Sequence, residues 1–185
     1  MSKRFLKTIG FLALIICGSH VLPKANTTAV RATFQGEGTY VIRCDTQNRG
    51  PRCLTYALWG GAIKPWTQVA PTLLYTADIT QQWTLVQEGE GYTIRNFMIA
   101  LPLFIQQNCM EAYPNCDDVR ARPKNGHQDQ TWYIESVDNS HKNKIFCHTR
   151  KGGKRYLEAF PNEDAVRPRT GSTHQDQYWE FLRVN

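Results

Sequence analysis

Two glutamates, Glu111 and Glu158, two arginines, Arg122 and Arg169, and two histidines, His127 and His174, stand 47 residues apart in a run that repeats without a gap. Carboxylates and imidazoles are the side chains most often used for proton transfer, so these pairs are the first candidates for chemistry. The repetition argues against it. Residues repeated by architecture occupy equivalent places on separate structural units, so Glu111 and Glu158 do not form the close carboxylate pair of glycoside cleavage. His127 and His174, each five residues before a Trp, read as structural for the same reason. No Ser/His/Asp order, His-Glu-x-x-His, phosphate loop or paired Cys-x-x-Cys spacing is present. The sequence therefore predicts a non-enzymatic chain, with no cofactor and no metal.

What positions these residues is a repeated unit. The run from Cys109-Met110-Glu111 to Gln130-Thr131-Trp132 has its twin in Tyr156-Leu157-Glu158 to Gln177-Tyr178-Trp179. A third copy appears once one insertion is allowed: Cys44 to Leu54 matches Cys147 to Leu157, and Leu54 to Ile63 matches Met110 to Val119. That copy carries seven extra residues between Trp66 and Gln81 and closes on Gln81-Gln82-Trp83. A fixed period means one supersecondary unit used several times. The units span 36–89, 90–139 and 140–185. Each reads as four short strands rich in Val, Ile, Tyr, Phe and Trp, bounded by Pro-Asn, Gly-Gly, Asn-Gly and Gly-Ser turns. Three such units closing on each other make a barrel capped by hairpins: an all-β chain with the β-trefoil fold.

The three Gln-x-Trp motifs, Gln81 to Trp83, Gln130 to Trp132 and Gln177 to Trp179, resemble the signature of the ricin B-type lectin domain, a β-trefoil family that binds sugars. The resemblance covers essentially the whole chain after its N-terminal segment. The Trp residues, one per unit, are expected to meet in the barrel core, and each Gln to hold a loop through backbone hydrogen bonds. The resemblance implies a sugar site per unit built from an acid, an aromatic platform and an Asn. These positions fall on Glu111, Arg122 and Asp129 in unit two, and on Glu158, Arg169 and Asp176 in unit three. Guanidinium is a poor substitute for an indole platform. Either Arg122 and Arg169 bridge the nearby carboxylates, or they select an acidic sugar or a sulfate. In unit one the positions fall on Thr55, Trp66 and Thr80, with Tyr56 and Asp78 beside them, and Trp59 and Tyr75 within or beside the insertion. Trp66 keeps the platform, so carbohydrate binding is expected there first.

Composition and the N-terminus bound the rest. The formal charge of +6 owes much to Lys3, Arg4, Lys7 and Lys24; beyond residue 25 the chain holds 18 basic and 16 acidic residues. That balance gives no reason to expect nucleic acid as a partner. Residues 1–25 read as a signal peptide, with a basic start and an uncharged, mostly apolar run from Thr8 to Leu22, shorter than a membrane span needs. The sequence thus predicts a secreted chain with no membrane span. A faint lipobox, Leu14 to Cys17, lacks the small residue that normally precedes its Cys. Residues 26–35 read as a polar leader, with Asn26-Thr27-Thr28 as a glycosylation acceptor in a eukaryote. In an oxidising compartment Cys44 with Cys53, and Cys109 with Cys116, are candidates for short disulfide loops, leaving Cys147 free for a protein partner. The basic turn Arg150-Lys151-Gly152-Gly153-Lys154-Arg155 is a solvated hairpin tip or a dock for sulfated glycans or anionic membrane. Two alternatives stand beside the lectin: a cell-binding or accessory subunit of a multi-component toxin, and an inhibitor-like trefoil that acts on a protein.

Overall fold

The computed structural model describes residues 34–47, 49–57, 63–67, 79–96, 108–113, 118–137, 140–160, 162–163 and 165–184, with only the backbone for 64–67. The signal segment, most of the leader, and Trp59, Tyr75, Asp78 and Cys116 lie outside the described residues.

Among the described residues twelve strands follow one another, in chain order β1 (Gly38–Thr46), β2 (Gly50–Tyr56), β3 (Ile63–Thr67), β4 (Gln82–Glu88), β5 (Gly91–Asn96), β6 (Asn108–Tyr113), β7 (Asp118–Pro123), β8 (Trp132–Ser136), β9 (Asn143–Thr149), β10 (Gly153–Phe160), β11 (Ala165–Arg169) and β12 (Trp179–Arg183). A single 3-10 turn precedes β4, β8 and β12: Ile79–Gln81, Gln128–Gln130 and Gln175–Gln177. Strand pairing is antiparallel throughout. β1 pairs with β4, β4 with β5, β5 with β8, β8 with β9, β9 with β12, and β12 returns to β1, which closes a six-stranded barrel. Closure leaves no barrel strand with an unpaired edge. The remaining strands form three hairpins, β2–β3, β6–β7 and β10–β11, one per unit. This is the β-trefoil that the repeats predict.

The repetition is explained by the core. Trp83, Trp132 and Trp179 are fully buried. A buried indole must place its N–H, and each does so in the same way, donating to the carbonyl of Leu54, Met110 or Leu157 at 2.8, 2.8 and 2.9 Å. Each Trp therefore ties the last strand of its unit to the hairpin of that unit. Ile42, Ile94 and Ile145 complete the barrel interior, and Ile63, Val119 and Val166 sit beneath the hairpins.

One residue assigned to the leader belongs to the barrel. The Phe34 ring lies 5.8, 5.4 and 4.8 Å from those of Tyr40, Tyr92 and Phe181, packed against the core.

The disulfide expectation is corrected. Cys44, Cys53, Cys109 and Cys147 are all free, buried thiols. Cys44 stands opposite Arg52, and Cys53 opposite Arg43. Residues directly opposite share a face and neighbours along a strand alternate, so Cys44 and Cys53 point to opposite sides of the hairpin and cannot be bridged. Cys44 and Cys147 occupy equivalent positions and behave as small core residues. Burial pushes the thiols of Cys53 and Cys147 up to about 12.

Candidate functional site

The corner between each hairpin and its 3-10 turn holds the residues singled out from the sequence. In unit two, Gln130 is buried and spends its whole amide locally. Its Oε1 accepts from the Asn125 N–H at 2.9 Å, and its Nε2 donates to the Pro123 carbonyl at 3.0 Å and to Glu111 Oε2 at 2.9 Å. Unit three repeats the pattern. Gln177 accepts from the Ser172 N–H at 2.9 Å and donates to the Thr170 carbonyl at 2.9 Å and to Glu158. The Gln thus pins the loop between the hairpin and the 3-10 turn, the role expected of it. In unit one, Gln81 donates to Thr55 Oγ1 at 3.2 Å, a hydroxyl where the other units have a carboxylate.

Glu111 is fixed by amides. Besides Gln130, it accepts from Asn125 Nδ2 at 2.9 Å. Arg122 forms no bridge to it; its guanidinium instead lies 5.7 Å from the centre of the Tyr113 ring, with that of Arg120 at 5.4 Å. In unit three, Arg167 and Arg169 lie 5.0 and 5.2 Å from the Phe160 ring. Register makes the geometry plain. Arg122 stands opposite Cys109 and Tyr113 opposite Asp118, so Arg122 leans along the hairpin, past Glu111, to reach the ring. Arg120 is bound at 2.7 Å by Asp118, and Arg167 is paired with Glu163.

Tyr113 and Phe160 were missed from the sequence. Their signal was present: each falls three residues after Met110 or Leu157, where unit one has Ala57. The aromatic residue is therefore exchanged across the hairpin, on the first strand in units two and three and at Trp66 on the second strand in unit one. The backbone places Trp66 opposite Cys53, as Arg122 stands opposite Cys109.

Four sequence candidates have another occupation. Thr55 is buried, with its hydroxyl donating to the Cys53 carbonyl at 3.0 Å. Tyr56 is buried in the core cluster, its hydroxyl accepting from Asn108 Nδ2 at 3.4 Å, so it offers no surface for stacking. Asp129 is fully buried and reaches out of its own unit, accepting from the Arg150 N–H at 3.1 Å and from Arg150 Nε at 2.8 Å. Asp176 accepts from the Gln47 N–H at 3.0 Å. These acids hold the β9–β10 and β1–β2 turns, each belonging to the neighbouring unit, and Thr80 is half-buried in the unit-one 3-10 turn. Among the described residues no cluster of His, Cys, Asp and Glu could hold a metal ion.

No family model and no curated protein matches this chain. Solved structures do. A designed threefold-symmetric protein, ThreeFoil, superposes with a TM-score of 0.58 at 16% identity, over 80% of this chain and 99% of that one. SeviL, solved with asialo-GM1 saccharide, gives 0.57 at 16% identity over 80% and 99%. A mosquitocidal holotoxin gives 0.61 at 14% identity over 82% of this chain, which spans 18% of the holotoxin. The chain is a β-trefoil, of the architecture that these proteins share. At such identities the likeness is one of fold.

Proposed function

We propose that this chain is a secreted, non-catalytic carbohydrate-binding trefoil whose ligands meet the hairpin corners. The observation that carries the reading is the unit-two corner. There a buried carboxylate, oriented by two amides, stands two residues from a half-exposed aromatic ring along the same strand, and so on the same face. Unit three has the related pair Glu158 and Phe160, with the carboxylate held by the Gln177 amide alone. Sugar recognition needs this combination of an apolar face and a few fixed polar groups. In these two corners the guanidiniums of Arg122 and Arg169 add two-pronged donors, which favour glycans bearing a carboxylate or a sulfate. The neighbour solved with asialo-GM1 saccharide supports the general class, and the basic, uncharged-apolar N-terminal segment supports export.

A glycan array on the mature protein tests this, with Trp66→Ala, Tyr113→Ala, Phe160→Ala, Arg122→Ala and Arg169→Ala beside it. Binding lost in the corner variants is the expected result. An array on which the wild type binds no glycan sinks the reading. A role as the cell-binding part of a multi-component toxin is the second reading, favoured by the trefoil within the mosquitocidal holotoxin; co-purification from the source with a larger chain would support it.

A further inference from the structure

Beyond residue 25 the chain gathers its positive charge in one place. From Asn139 to Leu157 it holds six Lys and Arg residues and no Asp or Glu, whereas the equivalent stretch of unit one, Gly36 to Leu54, holds three basic and two acidic residues. The rest of the chain past residue 25 has twelve basic residues against sixteen acidic. Charge concentrated in this way makes a local field that draws anions to one face. The stretch contains the β9–β10 hairpin, whose tip exposes Arg150, Lys151 and Lys154.

Register joins this hairpin to the unit-three corner. Lys154, Tyr156, Glu158 and Phe160 alternate along β10, with Leu157 and Ala159 buried between them, so the four share the outer face. At Tyr156 the strand passes from one partner to the other, standing opposite Phe146 on β9 and Arg169 on β11. The ring is held closely, for a Cβ on Gly171 would come within 2.7 Å of it. Lys154 Nζ lies 5.0 Å and Lys144 Nζ 5.2 Å from the ring centre, on residues that flank the Phe146–Tyr156 pair on either side. Units one and two have the buried thiols Cys53 and Cys109 where unit three has Tyr156. Among the described residues only unit three carries the strip.

We infer that the unit-three corner continues along β10 as an extended site for an anionic oligosaccharide. One sugar meets Glu158 and Phe160, and neighbours bearing sulfate or carboxylate groups lie over Tyr156 toward Lys144, Lys154 and the hairpin tip. This extended site rests on the carbohydrate reading of the corner and names the ligand class that unit three takes. The six steps of strand from Lys154 to Phe160 cover about 20 Å, more than a single sugar spans. An ammonium has three donors, and Lys144 gives one to the Ser172 carbonyl at 2.8 Å, so donors remain for an anionic group. Glu135, the acid beside Lys154, is engaged on both oxygens, by Lys154 Nζ and by the Tyr156 hydroxyl at 3.1 Å. Phe146 is buried and its ring is stacked on that of Tyr133 at 5.0 Å, so this face offers charge rather than the apolar surface that docks on a bilayer.

Calorimetric titration of the protein tests this with a heparin octasaccharide, a heparin disaccharide and a neutral glucose octamer. Phosphatidylserine vesicles and an oligo-dT strand are the other anionic probes. Saturable binding of the heparin octasaccharide is expected, with the disaccharide and the neutral octamer weaker by about tenfold or more. Lys151→Gln/Lys154→Gln should weaken the octasaccharide by about tenfold or more, since it removes two charged donors, and Phe160→Ala should weaken it as well. Arg49→Gln/Arg183→Gln takes the same charge from exposed positions off the strip and should leave the affinity near that of wild type. Melting temperatures of all three variants separate loss of the site from loss of the fold. The inference is overturned if either strip variant binds like wild type, if the off-strip variant loses as much, or if vesicles or oligo-dT bind as tightly. Binding of neutral or short glycans with no preference for the anionic octasaccharide overturns it and leaves the carbohydrate reading standing, whereas a chain that binds no glycan loses both.

Discussion

Replacing Gln130 removes the one side chain that joins the loop, the hairpin and the acid of unit two. Gln130→Ala forfeits three hydrogen bonds. Two are neutral, to the Asn125 N–H and the Pro123 carbonyl, and are worth about 1 kcal/mol each; the third, to the buried Glu111 carboxylate, is worth about 1.5–3 kcal/mol. The sum, roughly 3–5 kcal/mol, is a large share of the 5–15 kcal/mol typical of a domain. For a chain of this size it lowers the melting temperature by roughly 8–15 °C. Gln130→Glu sharpens the test. It sets a second carboxyl against Glu111, and two carboxyls at hydrogen-bond distance raise the pKa of the pair. An acid whose folded pKa is raised destabilises the folded state above that value and ceases to do so as pH falls. Gln130→Glu should therefore be worse than Gln130→Ala at pH 7.5 and recover relative to it near pH 5. Thermal melts of both variants at the two pH values decide. A loss below about 1 kcal/mol for Gln130→Ala, or a gap between the two variants that does not narrow as pH falls, would refute the reasoning.

Truncating any one of Trp83, Trp132 and Trp179 to Ala should cost about 3–5 kcal/mol by chemical denaturation, since each fills the core and holds a hairpin carbonyl. Asp129→Ala should cost more than Asp176→Ala in the same assay, because it alone strands a guanidinium as well as a turn N–H. Cys53 and Cys147, with thiols pushed up to about 12 by burial, hold roughly one thiolate in ten thousand at pH 8. Peptide mapping should find both unalkylated in native protein and alkylated after denaturation. Deleting the chain through Gln35 should lower the melting temperature relative to deletion through residue 33, because only the longer deletion removes the Phe34 ring.

The architecture was legible because a closed barrel of three units forces the same large residue into the same place three times, and Trp83, Trp132 and Trp179 record that demand. Asp129 and Asp176 were misplaced for a physical reason. Their partners, Arg150 and Gln47, lie 21 and 129 residues away in sequence, and only barrel closure brings the latter turn to its acid. The pairing of Cys44 with Cys53 failed on parity: loop length allowed it, but the register set by the turn at Gly50 puts the thiols on opposite faces. Tyr113 and Phe160 escaped notice because the aromatic position was sought on the second strand of each hairpin, where Arg122 and Arg169 stand. The corner keeps a ring by moving it to the facing strand.

Barrel closure also makes the chain's order partly arbitrary. β1 and β12 are zipped over five residue pairs, from Tyr40 with Arg183 to Cys44 with Trp179, and the Val184 N–H reaches the Thr39 carbonyl at 2.8 Å. Topologically the trefoil is a ring cut at that seam. A short linker joining the ends beside Thr39 and Val184, with new ends opened at the exposed Gly89–Glu90 turn, preserves every strand pair and every Trp contact described above. Such a permuted chain would begin with unit two and finish with unit one, and its new ends would leave the barrel at the β4–β5 turn, where Gln87 meets Glu37.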